Sequence, residues 1–238
     1  EEKGAAAALC LKVGARSCKA LREAKVIEVY NKGLSATDLA TLGKLIPVLP
    51  ALERLHLLGE TASAGPDGGQ RLVDGLGVGA LPALTNFSLI DVCLGDAGAS
   101  ALAAALDGGA LPRLEELYLY DAAIGDAGLV ALAPALRRRP ALEVLSLDGN
   151  PFGDEGLAAL VAPPPADAPP PQAEALAKLE WLNLGDTQIT DDGCAHLASR
   201  LRSGALPALE ILYLGKIPAS VAAWAAVYET RPGLRRTH

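Results

Sequence analysis

The amino-acid sequence predicts an α/β solenoid shaped like a horseshoe, with a concave parallel β-sheet and convex helices. Three observations lead to this prediction. A short leucine-containing phrase recurs along the 238-residue chain, successive copies begin 28 to 37 residues apart, and a turn and a segment with helical spacing follow most copies. Repeats of roughly 20 to 50 residues are typical of solenoids, in which each unit buries its apolar face against its neighbours.

The recurring phrase predicts a short strand with one buried face, because apolar and polar residues alternate over about five positions. Six copies are clear, and a degenerate seventh keeps Ile27 and Val29 where the next copy has Leu55 and Leu57. The copies begin at Glu23, Ala51, Ala83, Arg113, Ala141, Lys178 and Ala208.

The residues after each strand predict a turn, a helix and a return. An Asp that precedes a Gly by two positions recurs in these turns and is predicted to cap the helix that follows it. These aspartates are Asp96, Asp126, Asp154 and Asp191. Leu129, Leu132 and Leu136 have the spacing of a helix about three turns long. The sequence Gly-Ala-Leu-Pro then occurs three times, with Gly where a helix ends and Pro where it cannot continue.

The chain divides into three predicted parts. Residues 1–22 form an N-terminal helical cap, residues 23–215 about seven repeats, and residues 216–238 a C-terminal helical cap. Terminal units of a solenoid must cover an apolar face that interior units bury against neighbours. Residues 231–234 resemble residues 139–142, which leaves open that the array once continued. A Pro-rich insertion at residues 163–171 is predicted to be a tolerated surface loop or, alternatively, a docking segment.

These residues resemble the leucine-rich repeats of ribonuclease inhibitor and of its relatives among innate-immune receptors and Ran GTPase-activating proteins. The resemblance covers about residues 23 to 215 and implies a leucine-rich repeat solenoid. It gives no information about the partner, because the shared leucines are structural. The Asn or Cys that the family has at the turn is kept only at Asn150, where other repeats have Val92, Ala122 and Thr187.

Composition argues against several classes of protein. The net charge is −7 and charges of both signs are interspersed, so the polybasic face that binds nucleic acid is missing. No apolar run reaches the roughly 18 residues of a membrane span, so no membrane insertion is expected. The widely spaced cysteines predict reduced, buried thiols in an intracellular protein, cytoplasmic or within an organelle. They are Cys10, Cys18, Cys93 and Cys194.

The residues between the strand leucines predict a binding surface, because they point away from the core. Four of the five tyrosines and one of the two tryptophans lie there. Tyr and Trp are enriched at binding hot spots, which predicts a protein partner anchored by Tyr118, Tyr120 and Trp181, with acidic contacts from Glu116 and Asp148. The alternative is that exposed strands favour these residues by propensity. The candidate residues are Tyr30, Arg54, His56, Glu116, Tyr118, Tyr120, Asp148, Trp181, Asn183 and Tyr213.

Catalysis, a cofactor and a metal are not predicted. The three histidines, His56, His196 and His238, are not spaced to activate a Cys or Ser nucleophile. Cys10 and Cys18 lack nearby histidines, so core thiols are expected instead of a zinc site. The glycines of residues 75–79 do not follow a strand, so this segment is predicted to be a helix terminus instead of a dinucleotide-binding loop.

The sequence therefore favours a protein-interaction module: a scaffold, a subunit of a larger complex or the recognition domain of a receptor. Two alternatives stay open. The resemblance to Ran GTPase-activating proteins implies a GTPase regulator that uses an Arg from a loop at the strand-to-helix edge, but no Arg follows an early strand here. A third hypothesis is a purely structural subunit that spaces other proteins.

Overall fold

The strands form one open sheet. The computed structural model describes residues 2–59, 64–65, 67–163 and 176–236. Within them, eight parallel strands lie side by side in the order of the chain. The strands are β1 (Val26–Tyr30), β2 (Arg54–Leu58), β3 (Asn86–Ile90), β4 (Glu116–Tyr120), β5 (Val144–Ser146), β6 (Trp181–Asn183), β7 (Ile211–Tyr213) and β8 (Arg235–Arg236). The prediction of an α/β leucine-rich repeat solenoid is confirmed.

Helices connect successive strands, as parallel pairing requires. They are α1 (Glu2–Lys12), α2 (Cys18–Arg22), α3 (Ala36–Leu45), α4 (Gly68–Val73), α5 (Gly95–Asp107), α6 (Asp126–Arg137), α7 (Asp154–Leu160), α8 (Asp191–Arg202) and α9 (Val221–Tyr228), with a 3-10 turn at Ile46–Val48. The predicted length of three turns holds for α3, α5, α6 and α8, whereas α4 and α7 are shorter. No helix in the described ranges is long and apolar enough to cross a membrane.

The strand leucines occupy equivalent positions in the core. Leu55 pairs with Phe87, Phe87 with Leu117, and the same row continues to Leu212 in β7. Leu55, Leu117 and Leu212 have no exposed surface. A fully buried aliphatic side chain contributes about 1.5 to 3 kcal/mol through burial, so this repeated row is a main source of stability.

The ends differ in detail from the sequence prediction. The N-terminal segment contains two helices instead of one, and they bury Leu9 and Leu21. The segment predicted as a C-terminal helical cap also contains β8, because residues 231–234 make the same return turn as earlier repeats and Arg235 N–H donates to the Glu210 carbonyl. The Pro-rich insertion lies outside the described residues except for residue 163.

The prediction of buried thiols holds for only some of the cysteines. Cys10 and Cys194 are buried, and Cys93 is half-buried. Burial raises the pKa of the Cys194 thiol to about 11, with a smaller contribution from Asp191. Cys194 has no exposed surface and is therefore a core residue. Its raised pKa also makes the thiol a poor nucleophile. The side chain of Cys18 is outside the described residues.

The recurring turn aspartates cap the helix of the next repeat, which corrects the prediction that each caps its own helix. Asp126 lies in the first turn of α6, but its Oδ1 accepts hydrogen bonds from the Gly153 and Gly156 N–H groups at the start of α7. Asp96 accepts the equivalent bonds from the Gly125 and Gly128 N–H groups. Asp154 and Asp191 accept instead from the N–H and the hydroxyl of the next N-cap residue, Thr190 and Ser220 respectively. These side chains therefore join neighbouring repeats on the helical side.

Asp126→Ala is expected to lower the free energy of unfolding by about 1 to 2 kcal/mol, the usual cost of a lost helix cap. The matched control is Glu155→Ala, which removes a carboxylate from the first turn of α7 itself and should change stability by less than about 0.5 kcal/mol. Urea denaturation followed by circular dichroism measures both. Equal effects of the two substitutions would contradict the inter-repeat cap.

Candidate functional site

The surface of interest is the side of the sheet that faces away from the helices, which we call the sheet face. In β4, Leu117 and Leu119 are buried, whereas Glu116, Tyr118 and Tyr120 alternate with them and are half-exposed. All ten candidate residues lie on this face. Tyr30 and Arg54 are exposed; His56, Glu116, Tyr118, Tyr120, Trp181, Asn183 and Tyr213 are half-exposed; Asp148 is buried.

The middle of the sheet face carries a pair of aromatic rings. The ring centroids of Tyr118 and Trp181 are 6.1 Å apart and the rings are tilted by 48°. They belong to β4 and β6, and the strand between them has the small residue Ser146 in register with Tyr118. Ser146 is only 4% exposed. Trp181 is in register with Val144, two residues before Ser146, so the two rings approach each other diagonally across β5.

The hydroxyl of Tyr118 is held in place. It donates to Glu116 Oε2 at 3.0 Å, and Asn86 Nδ2 donates to the same oxygen at 2.6 Å. Burial, with a smaller contribution from Glu116, raises the pKa of Tyr118 to about 12. The phenol therefore stays protonated and remains a hydrogen-bond donor at neutral pH. This bond orients the ring next to Trp181 before any partner arrives.

A second aromatic pair lies toward the N-terminal end of the sheet. The rings of Tyr30 and His56 have centroids 5.2 Å apart, on the neighbouring strands β1 and β2. Burial lowers the pKa of His56, and the nearby Glu28 opposes this only in part. His56 is therefore mainly neutral at pH 7. Four of the six aromatic candidates thus lie in two separate pairs on the face.

Asp148 does not have the exposure expected of an acidic contact residue. Its position in the repeat places it on the sheet face, but the residue is only 8% exposed. The cause lies in the next two repeats. A Cβ atom added at Gly185 would be 2.4 Å from both Asp148 Oδ1 and Tyr213 Cε1, so the Tyr213 ring and the Asp148 carboxylate crowd the same space beside this glycine.

An acidic row at the carboxyl ends of the strands was missed by sequence reasoning. Asp91 and Asp121 directly follow β3 and β4, and Asp186 lies three residues after the end of β6. Each of the three has a positive φ between 48° and 54°. Asp tolerates this left-handed conformation better than most residues. Asp148 lies among them at the end of the fifth repeat's phrase. The recurrence of Asp at one repeat position was the signal that could have found this row.

Comparisons with known proteins agree with this fold. A family model described as "Leucine Rich repeat" matches residues 111–133, 140–161 and 175–198. Internalin C2 from Listeria monocytogenes is 20% identical, with 98% of this chain and 81% of that chain covered and a TM-score of 0.54. A protein from Bacteroides fragilis is 14% identical, with 100% and 72% covered and a TM-score of 0.52. None of the curated proteins compared matches the sequence significantly.

At these identities the likeness to solved structures concerns the fold alone. The family match adds sequence evidence for three consecutive repeats, which contain β4 to α8 of the structure. The two findings agree with the strand order and with the buried leucine row. The chain therefore contains leucine-rich repeats at residues 111–133, 140–161 and 175–198 and has the α/β fold of a leucine-rich repeat solenoid.

Proposed function

We propose that this protein is a non-catalytic interaction module that binds a protein partner through the sheet face, as a scaffold, a complex subunit or a recognition domain. Leucine-rich repeat proteins generally mediate protein-protein interaction. The observation that carries the proposal for this chain is the half-exposed Tyr118 and Trp181 pair at the centre of the face.

The geometry of this pair supports binding. Large aromatic side chains bury much area at small entropic cost, and hot spots cluster near the centre of interfaces. Tyr118 is already oriented by its hydrogen bond to Glu116, which lowers the ordering cost of association. Strand propensity alone explains the presence of a Tyr or Trp in a strand, but it does not require two such residues from non-adjacent strands to approach each other across the strand between them.

Two finer assignments belong to the same proposal. The helix that follows most strands supports a ribonuclease-inhibitor-like repeat type. Cys93 and Cys194 are free thiols, which supports an intracellular location of the protein, because oxidising compartments favour disulfides.

The test is affinity purification from the native source with wild-type protein and with the triple variant Tyr118→Ala, Tyr120→Ala, Trp181→Ala. Each hot-spot truncation costs about 1 to 2 kcal/mol or more, so the affinity for the retained protein should fall at least about 100-fold. The control variant is Val78→Ala with Val130→Ala, which trims exposed apolar side chains away from the sheet face. Circular dichroism verifies that both variants are folded.

Loss of the same copurifying protein from the triple variant, with retention by the control, supports the proposal. Retention of every partner by the folded triple variant would contradict binding at the centre of the face and would favour a purely structural subunit.

A further inference from the structure

We infer that the carboxyl edge of the sheet face, where the carboxylates around Asp148 lie beside the ring of Tyr213, binds a lysine or arginine side chain of a protein partner. The inference rests on the proposed function, because it describes one contact of the partner that the sheet face would bind. It goes further in naming the chemistry of that contact.

The first argument is charge. Asp121, Asp148 and Asp186 belong to the consecutive repeats of β4, β5 and β6, and both neighbours act electrostatically on Asp148. Asp91 extends the row by one repeat and is influenced by Asp121. Lys216 Nζ forms an ion pair with Asp186 Oδ2 at 2.9 Å. Among the residues that the structure describes, Asp91, Asp121 and Asp148 have no such ion pair, so the row is strongly negative.

The second argument is an unsatisfied buried oxygen. Asp148 is 92% buried (8% exposed), and its Oδ1 has no hydrogen-bond partner within the described part of the chain. A buried charged group without a partner is costly. Burial, followed by the charges of Asp186 and Asp121, raises the pKa of Asp148. A positive charge placed beside the row would offset this cost through its electrostatic attraction to the carboxylates.

The third argument is the shape around this carboxylate. A Cβ atom at Gly185 would lie 2.4 Å from Tyr213 Cε1, and one at Gly215 would lie 2.2 Å from Tyr213 Oη. The Tyr213 ring therefore lies across both glycines and beside the Asp148 carboxylate. A carboxylate next to an aromatic ring attracts an ammonium or guanidinium group through its charge and through a cation-π contact. Any side chain at Gly185 would collide with both groups.

A protein cation fits this site better than the other candidates. No group of three or more His, Cys, Asp or Glu side chains within the described residues is arranged to hold a metal ion. Phosphate groups of nucleic acids would be repelled by the acidic row. Lys and Arg carry their charge at the end of a long apolar stem, so they can reach a recessed carboxylate from a partner's surface.

The test uses capped tetralysine and tetra-arginine peptides, titrated into the full chain by calorimetry at low ionic strength. Asp148→Asn is expected to weaken binding of at least one peptide ten-fold or more. Asp192→Asn is the matched control, because it makes the same charge change at an exposed residue of α8, and should change affinity less than two-fold. Equal weakening by both variants would show a net-charge effect alone and overturn the inference.

Further measurements distinguish loss of the lysine or arginine site from unfolding and from metal binding. Asp148→Asn should have an unchanged or higher melting temperature, since it removes a buried charge, and a folded variant that binds the peptides as wild type does would overturn the site. Tyr213→Leu is expected to weaken binding three-fold or more, while Tyr213→Phe, which keeps the ring, should retain it. Micromolar calcium binding that Asp148→Asn abolishes would replace the side-chain site with a metal site.

The peptide experiment and the test of the proposed function can fail independently, so their outcomes can be told apart. Synthetic peptides probe the acidic row without the natural partner. If the triple aromatic variant loses the partner but Asp148→Asn does not change the affinity for the peptides, the proposed function stands and the lysine or arginine site is wrong. If the peptides bind as expected and the partner is unaffected by the aromatic substitutions, the acidic site stands and the central aromatic anchor is wrong.

Discussion

Asn150→Ala is expected to lower the free energy of unfolding by about 3 kcal/mol, because hydrogen bonds to four backbone groups are lost at about 0.5 to 1.5 kcal/mol each. The Asn150 side chain has no exposed surface. Its Nδ2 donates to the carbonyls of Leu119 at 2.6 Å, Leu147 at 2.9 Å and Asp148 at 3.2 Å, and its Oδ1 accepts from the Ile124 N–H at 2.9 Å. Leu119 and Ile124 belong to the preceding repeat, so the amide joins two repeats from inside the turn.

The matched control is the equivalent position of the following repeat. Thr187 is also buried, but its hydroxyl donates one hydrogen bond, to the Leu184 carbonyl at 2.8 Å within its own repeat. Thr187→Val keeps the shape and should cost about 1 kcal/mol. Urea denaturation of both variants measures the difference. If Asn150→Ala costs no more than Thr187→Val, water or backbone shifts satisfy the exposed groups, and Asn150 does not join the repeats as described.

The strands and their register could be predicted from the sequence because a leucine period fixes which face of each strand is buried. Leu55 and Leu117 needed no tertiary information, since a one-residue slip would move every leucine of the strand to solvent. The same alternation placed Tyr118 and Trp181 on one face. It could not give their 6.1 Å separation, because the two rings approach each other diagonally across β5 and their orientations depend on tertiary packing.

The capping aspartates show where local rules fail. A capping rule relates an Asp to the helix that begins beside it, but Asp126 accepts from Gly153, the N-cap residue of α7, which lies 27 residues later in the chain. The clue was the glycine of each turn. A Cβ at Gly193 would lie 2.1 Å from Asp154 Oδ1, so this position must lack a side chain for the carboxylate of the previous repeat to approach. A contact between repeats is visible in the sequence only indirectly, as a residue type such as glycine that the contact requires.

The burial of Asp148 could not be predicted for a related reason. Strand alternation gives the direction of a side chain, whereas its exposure depends on the side chains of neighbouring strands. Here the neighbours are Gly185, which leaves space, and Tyr213, whose ring crosses that space. Considering one repeat at a time therefore predicted that Asp148 is an exposed acidic contact, whereas its carboxylate is recessed in the structure.

Gly75→Ala is expected to destabilise the protein by about 3 kcal/mol, at the upper end for overpacking, because the new methyl group would meet backbone that cannot rotate away. Its Cβ would lie 2.2 Å from the Gly43 carbonyl oxygen and 2.6 Å from Gly43 Cα. Gly43 lies in α3, and a Cβ there would in turn be 2.9 Å from the Arg71 carbonyl oxygen in α4. The backbones of the two helical segments are thus in direct contact. The sequence correctly predicted a helix terminus here, since α4 ends at Val73, but not this contact.

The control is two residues away. A Cβ at Gly77 would meet nothing within 4 Å, and Gly77 does not have a positive φ. Gly77→Ala should therefore leave stability unchanged or raise it by about 0.4 to 1 kcal/mol, since alanine restricts the unfolded chain. Thermal and urea denaturation of the two variants compare the same chemical change with and without backbone contact. Equal stability of the two would mean that α3 and α4 separate at small cost, and that close approach of their backbones is not what holds the first and second repeats together.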